Sequence, residues 1–332
     1  MPKVSIITTF YNSSGTLMDS IMSIINSNFE NFEIVLVDDG SVDGSYDIAN
    51  AVNDKRLQLF KPGRIGRAAA LNYGLKKSKG EYIAILDADD ICMQTRLSKQ
   101  VYFLDNNPRY SLVCGNAELV DIHQRKIGST NFPESHSELV ECLLNLNPFP
   151  HSSVMYRREA AVNAGGYNTR CEKSIDYNFY LSLLSSGVYF FGINESLIQL
   201  RSYENSWGKS DTNALQMRYG IIGLINYYQI QNNTTGILQL NEQHWKEVKC
   251  IYNHWFDDMN FQRKIQAKHL IRSAKDDIRY FNFIKTFMHL RSAIKLDPWF
   301  WRYRVCNFSY PIDIKLFINR YEQYLSKNEL TE

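Results

Sequence analysis

The stretch Glu81-Tyr82-Ile83-Ala84-Ile85-Leu86-Asp87-Ala88-Asp89-Asp90 constrains this chain most. It is a short apolar run, aromatic and β-branched, bounded upstream by Lys79-Gly80. That pattern predicts a buried strand. The run ends in three carboxylates within four positions. In open α/β sheets, ligands bind outside the carboxyl ends of the strands. Three acids so close repel one another unless a cation neutralises them, and hard oxygen ligands suit Mg²⁺ or Mn²⁺. A solvated acidic turn fits the same residues, because Asp is a common turn residue.

The chain around this stretch alternates strand and helix patterns. Val4 to Thr9, Phe32 to Val37 and Arg56 to Phe60 read as strands. Residues 17–25, 43–53 and 68–77 read as helices, and Asn12-Ser13-Ser14-Gly15 reads as a turn able to cap the first. Such β-α-β alternation predicts a Rossmann-like, mostly parallel mixed sheet with helices on both faces. Further on, 96–104, 160–164 and 175–185 read as helices. Segments 111–120, 152–156, 189–193 and 197–200 read as strands, and 121–135 as a loop or hairpin. After about residue 212 strand signals give way to helix-compatible stretches. The expected division is an α/β domain over 1–212 and an all-helical extension over 213–332. Ala293-Ile294-Lys295-Leu296-Asp297-Pro298 is similar to the end of a tetratricopeptide helix pair, without the repeat period an array needs.

Composition excludes several classes. The chain is 44% hydrophobic and 22% charged, an ordinary globular balance. Six scattered cysteines, without a CxxC pair, suggest neither a disulfide framework nor a zinc site, and point to a reducing compartment. The N-terminus enters a strand pattern without a signal-peptide pattern, and no run approaches the roughly 20 apolar residues of a membrane span. The net charge of +2 is uneven: residues 261–332 hold 14 Lys+Arg against 7 Asp+Glu, the remainder 23 against 28. A basic tail on an acidic body suggests an anionic partner such as a membrane face, against the plainer reading of a solvated helical surface. Within it, Trp299-Phe300-Trp301-Arg302-Tyr303-Arg304 interleaves aromatics with arginines. It suits a lipid headgroup layer or a cover over the catalytic domain. The acidic body argues against nucleic acid.

Five pieces stand in order: Val4 to Asn12, Val37-Asp38-Asp39-Gly40-Ser41-Val42-Asp43, Gly80-Glu81-Tyr82, Leu86 to Asp90, and Gly165-Gly166-Tyr167 followed by Asp176-Tyr177. Together, over about residues 3–205, they resemble family 2 glycosyltransferases with the GT-A fold. The resemblance implies an inverting enzyme that moves a sugar from a nucleotide diphosphate, here UDP, to a hydroxyl of a glycan or lipid-linked acceptor. Such enzymes commonly build surface polysaccharides, which implies a cytoplasmic enzyme at the inner membrane face.

The resemblance distributes roles. Asp87-Ala88-Asp89 resembles the DXD motif: Asp89 would hold Mg²⁺ or Mn²⁺, and Asp87 would reach the ribose or a metal-bound water. Asp90 is either a supporting group or a helix cap. Thr9, Phe10 and Tyr11 can line a base pocket, and Asp38 and Asp39 can accept hydrogen bonds from uracil or ribose, although a capped turn explains Asp38 to Ser41 equally. Arg64 stands where the family often has Asn, and Leu71 where Arg is frequent. Arg67 could supply the missing charge to the diphosphate. Asp176 is the candidate general base, with Ile175 replacing the usual Glu; an N-cap is the competing reading. His151 reads as an acceptor-side contact or a core histidine. Trp207, between Ser206 and Gly208, could stack on a sugar or pack on the helical part. A nucleotidyltransferase would carry a Gly-rich basic loop after the first strand, where Thr9-Phe10-Tyr11-Asn12 stands, and a dehydrogenase would carry GxGxxG there. A non-catalytic nucleotide-sugar-binding scaffold would not need Asp87, Asp89 and Asp176 together.

Overall fold

The computed structural model describes residues 1–201 except 122 and 146, then 210–233, 235–243, 245, 246 and 249. Trp207, the piece 293–298, the aromatic run 299–304 and the basic segment 261–332 lie outside the described residues, as do Cys250 and Cys306. The chain divides into two units, Met1–Tyr227 and Tyr228–Glu332.

The first unit is built on a nine-stranded mixed sheet. Its strands are β1 (Val4–Phe10), β2 (Phe32–Asp38), β3 (Leu57–Phe60), β4 (Tyr82–Ile85), β5 (Ile91–Cys92), β6 (Tyr110–Val120), β7 (Lys126–Ser129), β8 (Met155–Arg157) and β9 (Tyr189–Arg201). The order is β3-β2-β1-β4-β8-β6-β9-β5, with β7 paired to β6. From β3 to β4 all neighbours are parallel; β8 then joins β4 and β6 antiparallel. The sheet reverses its connectivity beside β4, so ligand-binding loops converge at the carboxyl end of that strand.

Between the strands lie α1 (Leu17–Ile25), α2 (Ser45–Asn50), α3 (Arg67–Lys77), α4 (Arg96–Asn106), α5 (His136–Asn145), α6 (Arg158–Asn163) and α7 (Ile175–Ser185), and α8 (Ser210–Gln231) follows β9. Strand alternation sends side chains to opposite faces, and the core follows that rule. Ile6, Ile34, Leu36, Ala84 and Leu86 share one cluster with Leu17, Ile21 and Ile24 of α1 and Leu97, Val101 and Leu104 of α4. On the other face α3 lies against Ile7 and Val37: a Cβ at Gly74 would come within 2.7 Å of Ile7 Cγ2. Helices therefore cover both faces, as expected. Ile21 and Ile24 are fully buried, and truncating such a residue to Ala costs about 2–5 kcal/mol.

Several sequence expectations need correction. The strand expected over 152–156 starts only at Met155, because His151–Ser153 forms a 3₁₀ turn. The two closing strands are one, β9, which holds together through irregular pairing to β6 around Gly115 and Asn116. The 121–135 segment is a hairpin carrying β7, one of the two forms the sequence allowed, whereas α5 was not anticipated. No side chain caps α1: the Ser13 carbonyl accepts from the Thr16 and Leu17 amides instead. α8 starts two residues before the expected boundary at 212, and the first unit runs on to Tyr227. Among the described residues of the second unit, Ile237, Leu238 and Trp245 are buried, and Ile237 N donates to Gln229 Oε1 at 2.7 Å.

Candidate active site

At the end of β1, Phe10 turns into the core and is 3% exposed, so its side chain does not line a pocket as expected. Its carbonyl instead accepts from Asp39 N at 2.8 Å, tying the ends of β1 and β2 together. Thr9 is half-buried and Tyr11 is exposed. Asp38 is fully buried; its Oδ1 accepts from Ser41 N at 2.8 Å, the capped turn that the sequence allowed. Its Oδ2 has no hydrogen-bond partner, and Lys61 Nζ stands 3.9 Å away.

Asp39 organises the loop before α3. Its Oδ1 accepts from the Ile65 and Gly66 amides, both at 2.8 Å, while Arg64 pairs with Oδ2. The Arg64 guanidinium lies 3.7 Å from the centre of the Tyr11 ring, a cation–π geometry. Gly40 is required here: its φ is +83°, and a Cβ would press within 3.1 Å of the Arg64 backbone. Arg64, standing where the family often has Asn, thus covers Tyr11 and neutralises Asp39.

Arg67 is the first residue of α3 rather than part of the loop before it. Its Nη2 donates to Asp87 Oδ1 at 2.7 Å and lies 3.3 Å from His151 Nδ1. The charge of Asp87 raises the Arg67 guanidinium above its usual range, and Asp176 and Asp89 add to the effect. All three acids therefore act on one cation. Burial works against ionisation of Asp87, but Arg67 and His151 hold it below the usual carboxylate range.

Asp89 and Asp90 are placed differently. Burial and the neighbouring Asp87 push the Asp89 carboxyl upward. Burial, Asp87 and Asp89 push Asp90 well above its usual range. Asp90 is 5% exposed; it accepts from Ser152 Oγ and, at 3.4 Å, from Arg201 N. It is thereby fixed as a supporting group rather than a helix cap. Ala88, between Asp87 and Asp89, is buried.

His151 is 7% exposed and reaches the site: its Nδ1 is 3.5 Å from Asp87 Oδ1, and its Nε2 is 3.2 Å from the Tyr167 hydroxyl. Tyr167 continues to the Tyr156 hydroxyl at 3.2 Å. Tyr167 is held by Asn72, which accepts from Tyr167 N at 2.8 Å and donates to Tyr167 O at 2.7 Å. Gly166, with φ +70°, makes room, since a Cβ there would meet Asn72 Oδ1 at 2.6 Å. The Gly-Gly-Tyr piece is thus a device for seating Tyr167.

Asp176 lies in the first turn of α7, whose N-cap is Ser174 in the left-handed region at φ 50°. It is not the cap, so the competing reading falls. Asn147 Nδ2 donates to Asp176 Oδ2 at 2.7 Å. Asn147 and Ser152 carry no motif, and nothing in the sequence pointed to them beyond the prolines at 148 and 150.

Among the described residues, no three His, Cys, Asp or Glu side chains converge as a metal cage. The donor chemistry nonetheless fits Mg²⁺ or Mn²⁺ in another way. Such ions keep several waters and bind through one or two carboxylates plus substrate phosphates. Asp87 is already paired. Burial and the charge of Asp87 push the Asp89 carboxyl upward, and a bound cation would offset that charge.

The profile of Glycosyl transferase family 2 matches residues 5–164. The putative glycosyltransferase EpsE of Bacillus subtilis (strain 168) is 32% identical over 237 residues, 69% of this chain and 81% of that one. The UDP-Glc:alpha-D-GlcNAc-diphosphoundecaprenol beta-1,3-glucosyltransferase WfaP of Escherichia coli is 39% identical over 106 residues, covering 32% of this chain and 42% of WfaP. Among solved structures, S. aureus TarS in complex with UDP-GlcNAc superposes with a TM-score of 0.55 at 16% identity, over 88% of this chain and 92% of that one. That likeness shows the GT-A fold. With the profile spanning β1 through α6 and EpsE matched over most of its length, the chain belongs to glycosyl transferase family 2 and is a glycosyltransferase.

Proposed function

We propose that this enzyme moves a sugar from a UDP-sugar to a hydroxyl of a glycan or lipid-linked acceptor, with inversion at the anomeric carbon. The observation that carries the reading is that Arg67 Nη2 donates to Asp87 Oδ1 at 2.7 Å beside His151, with Asp176 and Asp89 near enough to act on the same guanidinium. A diphosphate needs counter-charge and an acceptor hydroxyl needs a base, and both stand here. Tyr11, Asp38 and Asp39 with Thr9 form the base and ribose side, and Arg67, Asp87 and Ala88 the diphosphate side. His151 and Trp207 belong to the acceptor side, and Asp89 would ligate Mg²⁺ or Mn²⁺. Such an ion supplies Lewis-acid charge stabilisation to the departing diphosphate.

Asp176 takes the proton of the acceptor hydroxyl. The freed oxygen bonds to the anomeric carbon from the side opposite the diphosphate. The bond from that carbon to the β-phosphate oxygen breaks, and UDP leaves with its electron pair. General-base help of this kind is worth about 10²–10⁴ in rate.

The α/β region 1–212 carries the chemistry, and the region 213–332 serves the acceptor or membrane. No helix among the described residues is long and apolar enough to cross a membrane. WfaP is named for a lipid-diphosphate acceptor. That name supports a role in surface polysaccharide synthesis at the cytoplasmic membrane face, with the basic aromatic tail on the headgroups.

The test is a panel of UDP-sugars scored for UDP release with and without Mn²⁺. One donor is expected to be turned over, and Asp176→Asn is expected to lower kcat about 10²–10⁴-fold while UDP still binds. UDP binding without turnover of any donor, with acceptor extracts supplied, would instead describe a binding protein.

A further inference from the structure

The segment Asn147-Pro148-Phe149-Pro150-His151-Ser152 touches three acids of the site, Asp87, Asp90 and Asp176. Asn147 Nδ2 donates to Asp176 Oδ2 at 2.7 Å. His151 Nδ1 stands 3.5 Å from Asp87 Oδ1. Ser152 Oγ donates to Asp90 and accepts from Asp87 N at 2.9 Å. The segment is stiff by construction. Two prolines fix φ, Asn147 Oδ1 accepts from Phe149 N at 3.2 Å, and Ser153 N donates to the Pro150 carbonyl at 2.8 Å. Phe149 anchors it in the core, edge-on to Tyr180 of α7 at 5.0 Å between ring centres.

From this geometry we infer that Asn147 is a positioning residue for Asp176, and that the 147–152 segment sets the base in register with the donor-side acids. The inference rests on the transferase reading of Asp176. The Asn147 amide has two jobs with separate atoms: its oxygen closes the turn onto Phe149, and its nitrogen holds Asp176 Oδ2. With Oδ2 taken, Oδ1 is left to receive the acceptor proton, on a carboxylate that cannot rotate freely. Placement of a reacting group to within about 1 Å is worth about 10² in rate. Donor binding depends on other side chains, so it is not expected to change.

Separate atoms allow a test that a structural role fails. Asn147→Asp keeps the acceptor for Phe149 N but loses the donor to Asp176 and faces it with a second carboxylate. Asn147→Ala loses both bonds without adding charge. If Asn147 only braced the loop, Asn147→Asp would be the milder change. As a positioning residue it must be the harsher one. With the UDP-sugar that wild type turns over, kcat is expected to fall about 10-fold in Asn147→Ala and about 100-fold in Asn147→Asp. The donor KM and UDP affinity by calorimetry should stay within about twofold of wild type. The reverse order, or an equal rise in KM, overturns the proposal. A wild type that turns over no donor defeats the transferase reading instead. The positioning claim is then decided by the crystal structure of Asn147→Ala, where a displaced Asp176 carboxylate supports it and an unmoved one overturns it.

Discussion

At the amino end of β4, Lys3 Nζ lies 2.7 Å from Glu81 and 2.8 Å from Asp105, and the Tyr82 hydroxyl donates to Asp105 at 2.6 Å. Arg157 completes this group, 3.8 Å from Glu81. At the carboxyl end of the same four-residue strand, Asp87 pairs with the half-exposed Arg67, and Asp89 and Asp90 follow it in the chain. Asp87 and Asp105 are both lowered, but Asp89 and Asp90 run the other way. Burial opposes the charge on Asp105, but Lys3 and Tyr82 hold the carboxyl below its usual range. Asp89 and Asp90 are pushed above it by burial and by each other's neighbours. One end satisfies its charges internally and adds to stability. The other keeps carboxylates that the protein alone does not neutralise, the condition expected where a cationic ligand or substrate complex completes the balance.

The largest effect that tests this contrast comes from Asp89→Asn. Transfer activity is expected to fall by about 10²–10³, the scale of removing one charge-stabilising group. Tm without metal should not fall, because a poorly neutralised carboxylate is removed. A variant that loses stability in step with activity would make the acid end structural, and the contrast would break.

The strand and its acids were legible because a buried parallel strand is a continuous apolar run, and Asp at its end interrupts that run visibly. Asp176 was legible through its place after Gly-Gly-Tyr. What joins Asp176 to Asp87 was not. Asn147 and Asp176 are 29 residues apart, and Asn72 and Tyr167 are 95 apart; neither pair leaves a local pattern. His151 could not be assigned from sequence because one histidine beside two prolines fits a core or a site. Strand β9 read as two because Asn194 and Glu195 are exposed where it pairs irregularly with β6. Arg96 opens the helix read over 96–104, and its burial left no mark in the sequence. It is fully buried and donates to the Ile85 and Val154 carbonyls at 2.9 and 3.0 Å, binding β4 to the residue before β8. Helical periodicity shows that a residue faces inward only when it is apolar, so a buried arginine is invisible to it.

Asp90→Asn should produce a smaller effect, of opposite sign to an ordinary core lesion. Asn keeps an acceptor for Arg201 N and can pair with Ser152, while the cost of a buried charge disappears. The sign follows from the raised folded-state value. Below the unfolded value of about 3.9 the carboxyl is neutral in both states and carries no penalty. The penalty grows as pH rises through the window up to the folded value. In chelator at pH 7, Tm should therefore exceed wild type by roughly 2–4 °C, the shift of about 1 kcal/mol in a unit of this size. The gain should shrink toward pH 4. An unchanged or lower Tm at pH 7 would show that Asp90 is already neutralised.

The smallest effect belongs to the paired end. Lys3→Met removes a cation that is 26% exposed beside partners 53% and 41% exposed, so solvent screening limits the loss to below about 1 kcal/mol. Asp105 has a lowered folded value, so its contribution is present above about 3.9 and is lost as pH falls through the folded value. Lys3 has a raised one, favoured by Asp105 and Glu81 against the cost of burial. Its contribution is present below its unfolded value of about 10.4 and fades as pH rises beyond it. The deficit of Lys3→Met should thus be flat between about pH 5 and 9, shrink below pH 4, and diminish in salt. UDP-sugar turnover should match wild type throughout. A fall in kcat would mean that the two ends of β4 are coupled through the strand, and that the paired end does more than hold the sheet together.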